Sequence, residues 1–384
     1  MGCNMRYALY PQRVFVADGI KEHHYVIVND GKIEAITACE PTDCEILPLE
    51  GKTLLPGFID IHIHGRAGAD VMDATPEALQ TISDALLQTG VVAWVGTTVT
   101  APWDSIVSSI DTVKTWLDKP QQCGAELLGS FLEGPYFTEV HRGSHPTAYL
   151  KSPSIQELEE LYDVAAHSLL RVAIAPEADG AMEAIQWLQS QNIKTSVAHT
   201  DSTFDQVTQA HQLGADCGVH LFNGMRGLHH REPGCTGAVL YHDMLAELIA
   251  DGVHVHPVMM QLAYRMKGYQ QIALITDCMR AGGLEDGEYQ LGAQTITVAK
   301  GEARTKCGSL AGSTCSLDSA LRNMIQLSEV PEWEAVQMAT LVPAKYLGID
   351  DRLGSIAPEM EASFVVVNQD FAVQNTMIKG KWVY

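Results

Sequence analysis

The sequence predicts an α/β protein, a (β/α)8 TIM barrel with a small β-sandwich built from both chain termini. Three observations lead there. Eight short apolar runs alternate with helical patterns between residues 56 and 348, the mark of repeated βα units. That stretch is about 290 residues long, which suits such a barrel at ~250 residues plus insertions. Both ends of the chain instead read as short strands broken by turns, and chain ends often lie close together in space. The expected division is therefore residues 1–55 as the first part of the sandwich, 56–348 as the barrel and 349–384 as the second part of the sandwich.

In chain order, strand-like residues 26–28 and 33–36 flank Asp30-Gly31, and Leu54-Leu55 precedes Pro56. The barrel runs follow at 58–64, 92–98, 127–133, 170–175, 194–199, 217–220, 247–251 and 272–277. Helical patterns at 76–88, 155–166, 181–191 and 204–213 separate most of them, and 155–166 is acid-rich at its start, as the helix dipole prefers. Residues 221–240 show no helical pattern and read as a long loop on the catalytic face, where substrate contacts gather. Strand-like residues 364–367 and 376–383, the latter around Lys379-Gly380, close the chain. No internal repeat or low-complexity segment interrupts this order.

Composition limits the function classes. The chain has 384 residues, 46% of them hydrophobic, and carries 25 Lys and Arg against 47 Asp and Glu, a net charge of −22. That charge repels nucleic acid and anionic membranes, and an anionic substrate would need a local basic pocket. No apolar run approaches the ~18 residues of a membrane span, and the N-terminal residues lack a signal-peptide layout, so a soluble, cytoplasmic protein is expected. Nine cysteines, including Cys3, lie scattered without C-x-x-C spacing, which reads as reduced thiols. Met1 and Met5 are both candidate starts.

Chemistry-bearing residues fall where a barrel places them, at the C-terminal ends of strands. His62 and His64 follow Pro56-Gly57-Phe58-Ile59-Asp60. Side chains two apart on a strand share a face, so both imidazoles can converge on one ion. The third run ends in Glu133, the fifth in His199, the sixth in His220 and the eighth in Asp277. Such residue types at the ends of five of eight runs point to one shared site rather than to isolated structural histidines. The mixed imidazole and carboxylate set suits Zn²⁺, one or two per chain, with Fe²⁺, Co²⁺ or Mn²⁺ able to take similar donors. Asp277, delivered by Leu274-Ile275-Thr276, suits proton transfer, metal ligation, or both in succession. Arg231 is the conspicuous cation of the 221–240 segment, either an oxyanion clamp or an ion-pair partner of Glu232. His145 and His254, after the third and seventh runs, are candidates for the same pocket.

These residues carry a resemblance. Pro56-Gly57-Phe58-Ile59-Asp60 with His62-Ile63-His64 resembles the amidohydrolase superfamily. Leu132-Glu133-Gly134-Pro135, Ala198-His199-Thr200, His220-Leu221-Phe222-Asn223, Arg231-Glu232-Pro233-Gly234, Ala250-Asp251-Gly252-Val253-His254, Thr276-Asp277 and Leu310-Ala311-Gly312-Ser313 follow in order. Together they resemble the N-acetylglucosamine-6-phosphate deacetylases and their N-acetylgalactosamine-6-phosphate relatives, over residues 6–384. The resemblance implies Glu133, His199 and His220 as principal metal ligands, Asp277 as general base and acid, and His145 as the group polarising the acetyl carbonyl. It further implies a second ion through His62 and His64 with Glu133 or Asp277. Asn223, the Gly224 backbone, Arg231 and His254 would contact sugar and phosphate, some across the interface of a homodimer. Gly224 stands where many relatives carry alanine, and the His229-His230-Arg231 wording is closer to the galactosamine branch.

The resulting expectation is a metal-dependent deacetylase acting on a phosphorylated amino sugar, with no nucleic acid or membrane partner. Two rivals stand beside it. A cyclic-amide hydrolase of the same superfamily would use a carboxylated lysine on the fourth strand, and 170–175 contains no lysine. A non-catalytic sugar-phosphate-binding barrel would have no need of every ligand type together with Asp277.

Overall fold

The computed structural model describes residues 6–119, 123–292 and 294–384; the two candidate starts, Met1 and Met5, and Cys3 lie outside them. At its centre eight parallel strands pair in chain order: Phe58–Ile63, Val91–Thr97, Glu126–Leu132, Leu169–Ile174, Lys194–Val197, Ala215–Gly218, Leu245–Ile249 and Ile272–Ile275. Each of the eight apolar runs overlaps one of these strands. Beyond the last strand the chain returns to the first. The Asp277 N–H donates to the His62 carbonyl at 3.0 Å, and Ile63 and Cys278 form a parallel bridge. Most of these strands are buried along their length, including every residue of the first, second, seventh and eighth. Strands covered on both faces read as continuous apolar runs rather than alternating ones.

Helices lie between the strands. Pro76–Leu87 starts on the Thr75 side chain, which accepts the Ala78 N–H, and turns Leu79, Ile82 and Leu86 inward. Phe204–Gln212 starts on a Thr203–Gln206 capping box. Trp103–Leu117, Ile155–Ala165, Ala181–Ser190 and Pro257–Lys267 complete the outer layer beside the earlier strands, and Leu317–Gln326, Glu332–Ala339 and Leu341–Leu347 follow the eighth.

Two features depart from the sequence reading. The 221–240 segment is not helix-free, because Gly234–Tyr241 is a helix in which all but the last residue are buried. A helix covered all round has no apolar stripe, and its Gly234 and Gly237 weaken the propensity signal further. An antiparallel three-stranded insertion, Gly287–Leu291, Gln294–Ala299 and Glu302–Thr305, follows the eighth strand. It has its own small core of Leu291, Ile296, Val298 and Ala303 against Met279 and Ala311.

The chain ends meet in one mixed sheet. Its order is Lys381–Trp382, Val373–Ile378, Phe364–Val367, Glu45–Pro56, Arg6–Val16, Tyr25–Asn29 and Lys32–Thr37, with Gly19–Glu22 paired to Arg6–Val16. Phe364–Val367 runs antiparallel to Glu45–Pro56, and the Tyr7 hydroxyl donates to the Gly380 carbonyl at 2.7 Å. Leu9, Val26, Leu54, Phe364 and Val366 form its core.

The second parallel strand is anchored by Trp94, fully buried, whose indole N–H reaches Ser83 Oγ at 3.1 Å and the Ala125 carbonyl at 3.3 Å. Trp94→Ala should lower stability by about 3–5 kcal/mol, since the cavity adds to the lost transfer energy. Urea denaturation followed by far-ultraviolet circular dichroism checks this; a loss below about 1 kcal/mol would show that the site collapses around the gap.

Candidate active site

The candidate residues gather at one end of the parallel sheet. His62 lies within the first strand and His64 one residue past it, and Glu133 directly follows the third. His199, His220 and Asp277 each lie two residues beyond the last residue of their strands, so the corresponding runs extend past the ladder. At those three positions the backbone turns left-handed, with φ of 44°, 31° and 48°. A side chain with a Cβ holds such a conformation at a cost of about 1–3 kcal/mol each, offset by fixed backbone contacts. The His199 carbonyl accepts from the Thr138 N–H at 3.1 Å, the His220 carbonyl from the Asn223 N–H at 2.9 Å, and the Asp277 carbonyl from the Ser313 N–H at 2.7 Å.

Each imidazole has its Nδ1 tied down. His64 Nδ1 donates to the Thr97 carbonyl at 3.2 Å, His199 Nδ1 to the His141 carbonyl at 2.9 Å, and His220 Nδ1 to the Asn223 carbonyl at 3.1 Å. His62 Nδ1 donates to Glu247 Oε2 at 2.9 Å. A carbonyl or an ionised carboxylate can only accept, so each Nδ1 carries a proton and Nε2 is the atom that faces the cavity, where it holds either a second proton or a metal ion. Those Nε2 atoms surround one carboxylate. Glu133 Oε1 lies 3.2 Å from His220 Nε2 and 3.5 Å from His199 Nε2, while Oε2 lies 3.1 Å from His64 Nε2 and 3.5 Å from His62 Nε2. Asp277 Oδ1 sits 3.1 Å from His64 Nε2 and 3.5 Å from His62 Nε2.

This arrangement fits a divalent transition metal. His62, His64 and Asp277 offer donor atoms within 4.8 Å of one another, as do Glu133, His145 and His199. Among the described residues His62 Nε2 is buried without a hydrogen-bond partner, and the Nε2 atoms of His199 and His220 face each other at 3.2 Å. Two imidazole nitrogens this close need a positive centre between them, a proton or a metal ion. The carboxylates also draw positive charge into the pocket. Burial pushes His64 down, but hydrogen bonds to Asp277 and Glu133 overcome it and raise its pKa to about 10. Burial likewise opposes ionisation of Asp277, yet His64 and His62 hold its pKa down at about 2. His145 behaves differently. Burial, with a contribution from His199, keeps its pKa well below the ordinary imidazole range. Its Nδ1 lies 2.7 Å from Thr100 Oγ1 and accepts the Thr100 N–H at 3.4 Å, which leaves Nε2–H as the donor of a neutral ring.

A cavity of about 390 Å³ opens beside this cluster, and Asn223, Gly224 and His254 line it together with His145. His254 is oriented by Asp251, 2.7 Å from its Nδ1. At Gly224, with φ of 56°, an added Cβ would lie 2.7 Å from His199 Nδ1, so glycine lets the backbone approach the imidazole. Arg231 is not part of the lining. It is exposed, its guanidinium 2.7 Å from His230 Nε2. The alternative ion pair with Glu232 is not formed either, because that carboxylate accepts the N–H groups of Phe204 and Gly234. Among the described residues the arginine that does line the cavity is Arg304, on the insertion, held by Glu302 at 2.8 Å and donating to the Gly308 carbonyl at 2.9 Å. Its only sequence signal is a lone Arg in Glu302-Ala303-Arg304-Thr305, too slight to single out.

Residues 53–383 match the amidohydrolase family. The N-acetylgalactosamine-6-phosphate deacetylase of Escherichia coli O157:H7 is 41% identical over 98% of this chain and 99% of its own length. The N-acetylglucosamine-6-phosphate deacetylase of Vibrio furnissii is 42% identical over 97% of this chain and 94% of its own length. Among solved structures, a mutant N-acetyl-D-glucosamine-6-phosphate deacetylase from Mycobacterium smegmatis, in complex with N-acetyl-D-glucosamine-6-phosphate, superposes with a TM-score of 0.92 at 29% identity and covers 100% of both chains. The chain belongs to the amidohydrolase family and is a hydrolytic enzyme.

The split of the donors about Glu133 generates a test by elemental analysis. Wild-type protein equilibrated with Zn²⁺ should hold two ions per chain, and the double variant His62→Ala, His64→Ala should hold one. Two ions per chain in the double variant would show that the imidazoles of the first strand do not bind metal.

Proposed function

We propose that this enzyme hydrolyses the 2-acetamido group of an N-acetylhexosamine 6-phosphate, releasing acetate and the hexosamine 6-phosphate. One observation carries the reading: Asp277 and a neutral His145 flank a carboxylate–imidazole cluster at the mouth of a cavity, in a chain over 40% identical to deacetylases of this substrate class across nearly its whole length. The eight parallel strands, whose first and last members meet, are read as a closed (β/α)8 barrel spanning 56–348, with the mixed sheet of 1–55 and 349–384 as the β-sandwich.

The residues divide the work. Glu133, His199 and His220 would hold one divalent ion, and His62 and His64 with Glu133 or Asp277 a second; zinc suits these donors best. Such an ion acidifies water and polarises a carbonyl. Asn223, the Gly224 backbone and His254 bind and orient the sugar phosphate, which places the acetamido group against the cluster. Asp277 takes a proton from the attacking water as the carbon–oxygen bond forms, then delivers it to the amine nitrogen as the carbon–nitrogen bond breaks. His145 gives its Nε2–H to the oxygen on which negative charge develops. Arg231, exposed on its own chain, is read as reaching the cavity of the second protomer of a homodimer and pairing there with phosphate. The free state of all eight described cysteines supports a cytoplasmic enzyme. The two branches of relatives match at nearly equal identity, so parallel assays on both epimers decide between them.

Asp277→Asn keeps size but cannot carry a proton, so kcat for acetate release should fall ~10²–10⁴-fold while the fold survives. A folded, metal-loaded variant retaining more than about a tenth of wild-type kcat, under ~1.4 kcal/mol in barrier, would assign proton transfer elsewhere. Arg231→Met should lower kcat/KM for phosphorylated substrate roughly tenfold to a hundredfold, the ~1.5–3 kcal/mol of a charge-assisted contact, and leave the unphosphorylated sugar almost unaffected. Equal losses on both would reduce Arg231 to a loop-stabilising residue.

A further inference from the structure

Among the four cluster imidazoles, His62 differs in what supports it. The other three lean on backbone carbonyls, whereas His62 Nδ1 leans on the Glu247 carboxylate at 2.9 Å. Glu247 belongs to the seventh strand, and its other oxygen lies 2.5 Å from the guanidinium of Arg171 on the fourth. Arg171 also donates to the Ile61 carbonyl at 2.9 Å and to Ser196 Oγ at 3.1 Å, and its guanidinium stacks over the Phe131 ring at 4.1 Å. The side chains of His62, Glu247 and Arg171 are all 0% exposed. A row of buried charge thus crosses the interior of the parallel sheet and ends on one imidazole.

Stability alone does not account for such a row. Desolvating a carboxylate and a guanidinium cancels most of their attraction, and apolar residues of similar volume would fill the space at least as well. The arrangement does dictate the state of His62. An ionised acceptor on Nδ1 holds the proton there, fixes the ring plane and raises the basicity of Nε2, as carboxylates behind metal-bound histidines do. Nε2 is buried and has no hydrogen-bond partner among the described residues, and it lies 3.5 Å from both Glu133 Oε2 and Asp277 Oδ1.

We propose that Glu247, held in place by Arg171, is a positioning residue that prepares His62 as a donor and thereby sets whether a divalent cation is held at the His62–His64 position. The proposal rests on the functional reading only in taking the cluster as a metal site. Glu247 touches neither substrate nor the reacting atoms in this role. Its effect passes through His62.

The test compares Glu247→Gln, which keeps shape but removes the charge, with the double variant Arg171→Met, Glu247→Leu, which removes both charges and strands neither. Chelator-stripped full-length protein is titrated with Zn²⁺ by calorimetry, Zn²⁺ per chain is measured after equilibrium dialysis, and thermal melting monitors the fold. Wild type should take up two ions. In the double variant the weaker ion should bind about 10- to 100-fold less tightly, with the tighter one unchanged, and Glu247→Gln should lie between the two proteins. A folded double variant whose second ion binds within threefold of wild type overturns the proposal, even if its melting temperature has dropped, because the pair is then a packing element only. Wild type that binds a single ion overturns it as well. If the double variant does not fold, Glu247→Gln decides: a loss of threefold or more in second-ion affinity supports the proposal, and a smaller one overturns it. Acetate release by the wild-type protein is assayed separately. Two bound ions without deacetylation would sink the functional reading and leave this inference standing.

Discussion

The site depends on one carboxylate shared between two pairs of imidazoles. Glu133 is 2% exposed and points one oxygen at His199 and His220 and the other at His62 and His64. Burial opposes its ionisation, and the surrounding histidines, His62 foremost, pull its pKa well below the ordinary carboxylate range. A buried charge persists only where its partners are fixed. Those partners come from the first, fifth and sixth strands, so a parallel sheet in chain order is the scaffold that brings residues as far apart as His62 and His220 around one acid. The Nδ1 contacts then decide orientation. Without them, four freely rotating rings would offer no defined set of lone pairs.

Much of this was legible in the chain, for physical reasons that apply to some residues and not to others. Strands buried on both faces cannot alternate, so eight apolar runs stood out, and polar residues at their ends were conspicuous against that background. His62, His64, Glu133, His199, His220 and Asp277 were visible in this way. The finer placement was not. The runs containing His199, His220 and Asp277 continue past the ladder because the left-handed turn that ends each strand has no residue signature when it falls on histidine or aspartate rather than glycine. The helix Gly234–Tyr241 lacked a period because it is covered on all sides. The three-stranded insertion alternates over strands of only a few residues, and it brought Arg304 to the cavity from a position that no motif marks. Arg171 and Glu247 sat inside apolar runs, where a single charged residue reads as an error in the strand boundary rather than as half of a buried pair.

Charge is organised on two scales. The chain as a whole is strongly acidic, at −22, and the centre of the cavity holds two carboxylates. An anionic ligand approaches such a surface only toward local cations, and a bound divalent ion would offset the carboxylates at the point of chemistry. Arg304 on the insertion lies at the lining, whereas Arg231 lies outside it on an exposed loop. Arg304 thus sets a fixed positive group at the mouth of the cavity in a chain that is acidic as a whole.

The left-handed backbone at His199, His220 and Asp277 has a consequence for how this protein can change. At each of these positions asparagine or glycine would sit more comfortably, so local backbone energy and retention of the donor set favour different residues. At His199 and His220 the buried charge of Glu133 still demands an imidazole, so it is at Asp277 that selection for heat tolerance alone would relax the backbone and erase the donor in one step. A laboratory lineage chosen only for melting temperature should therefore drift first at Asp277, and it would become sturdier as it fell silent.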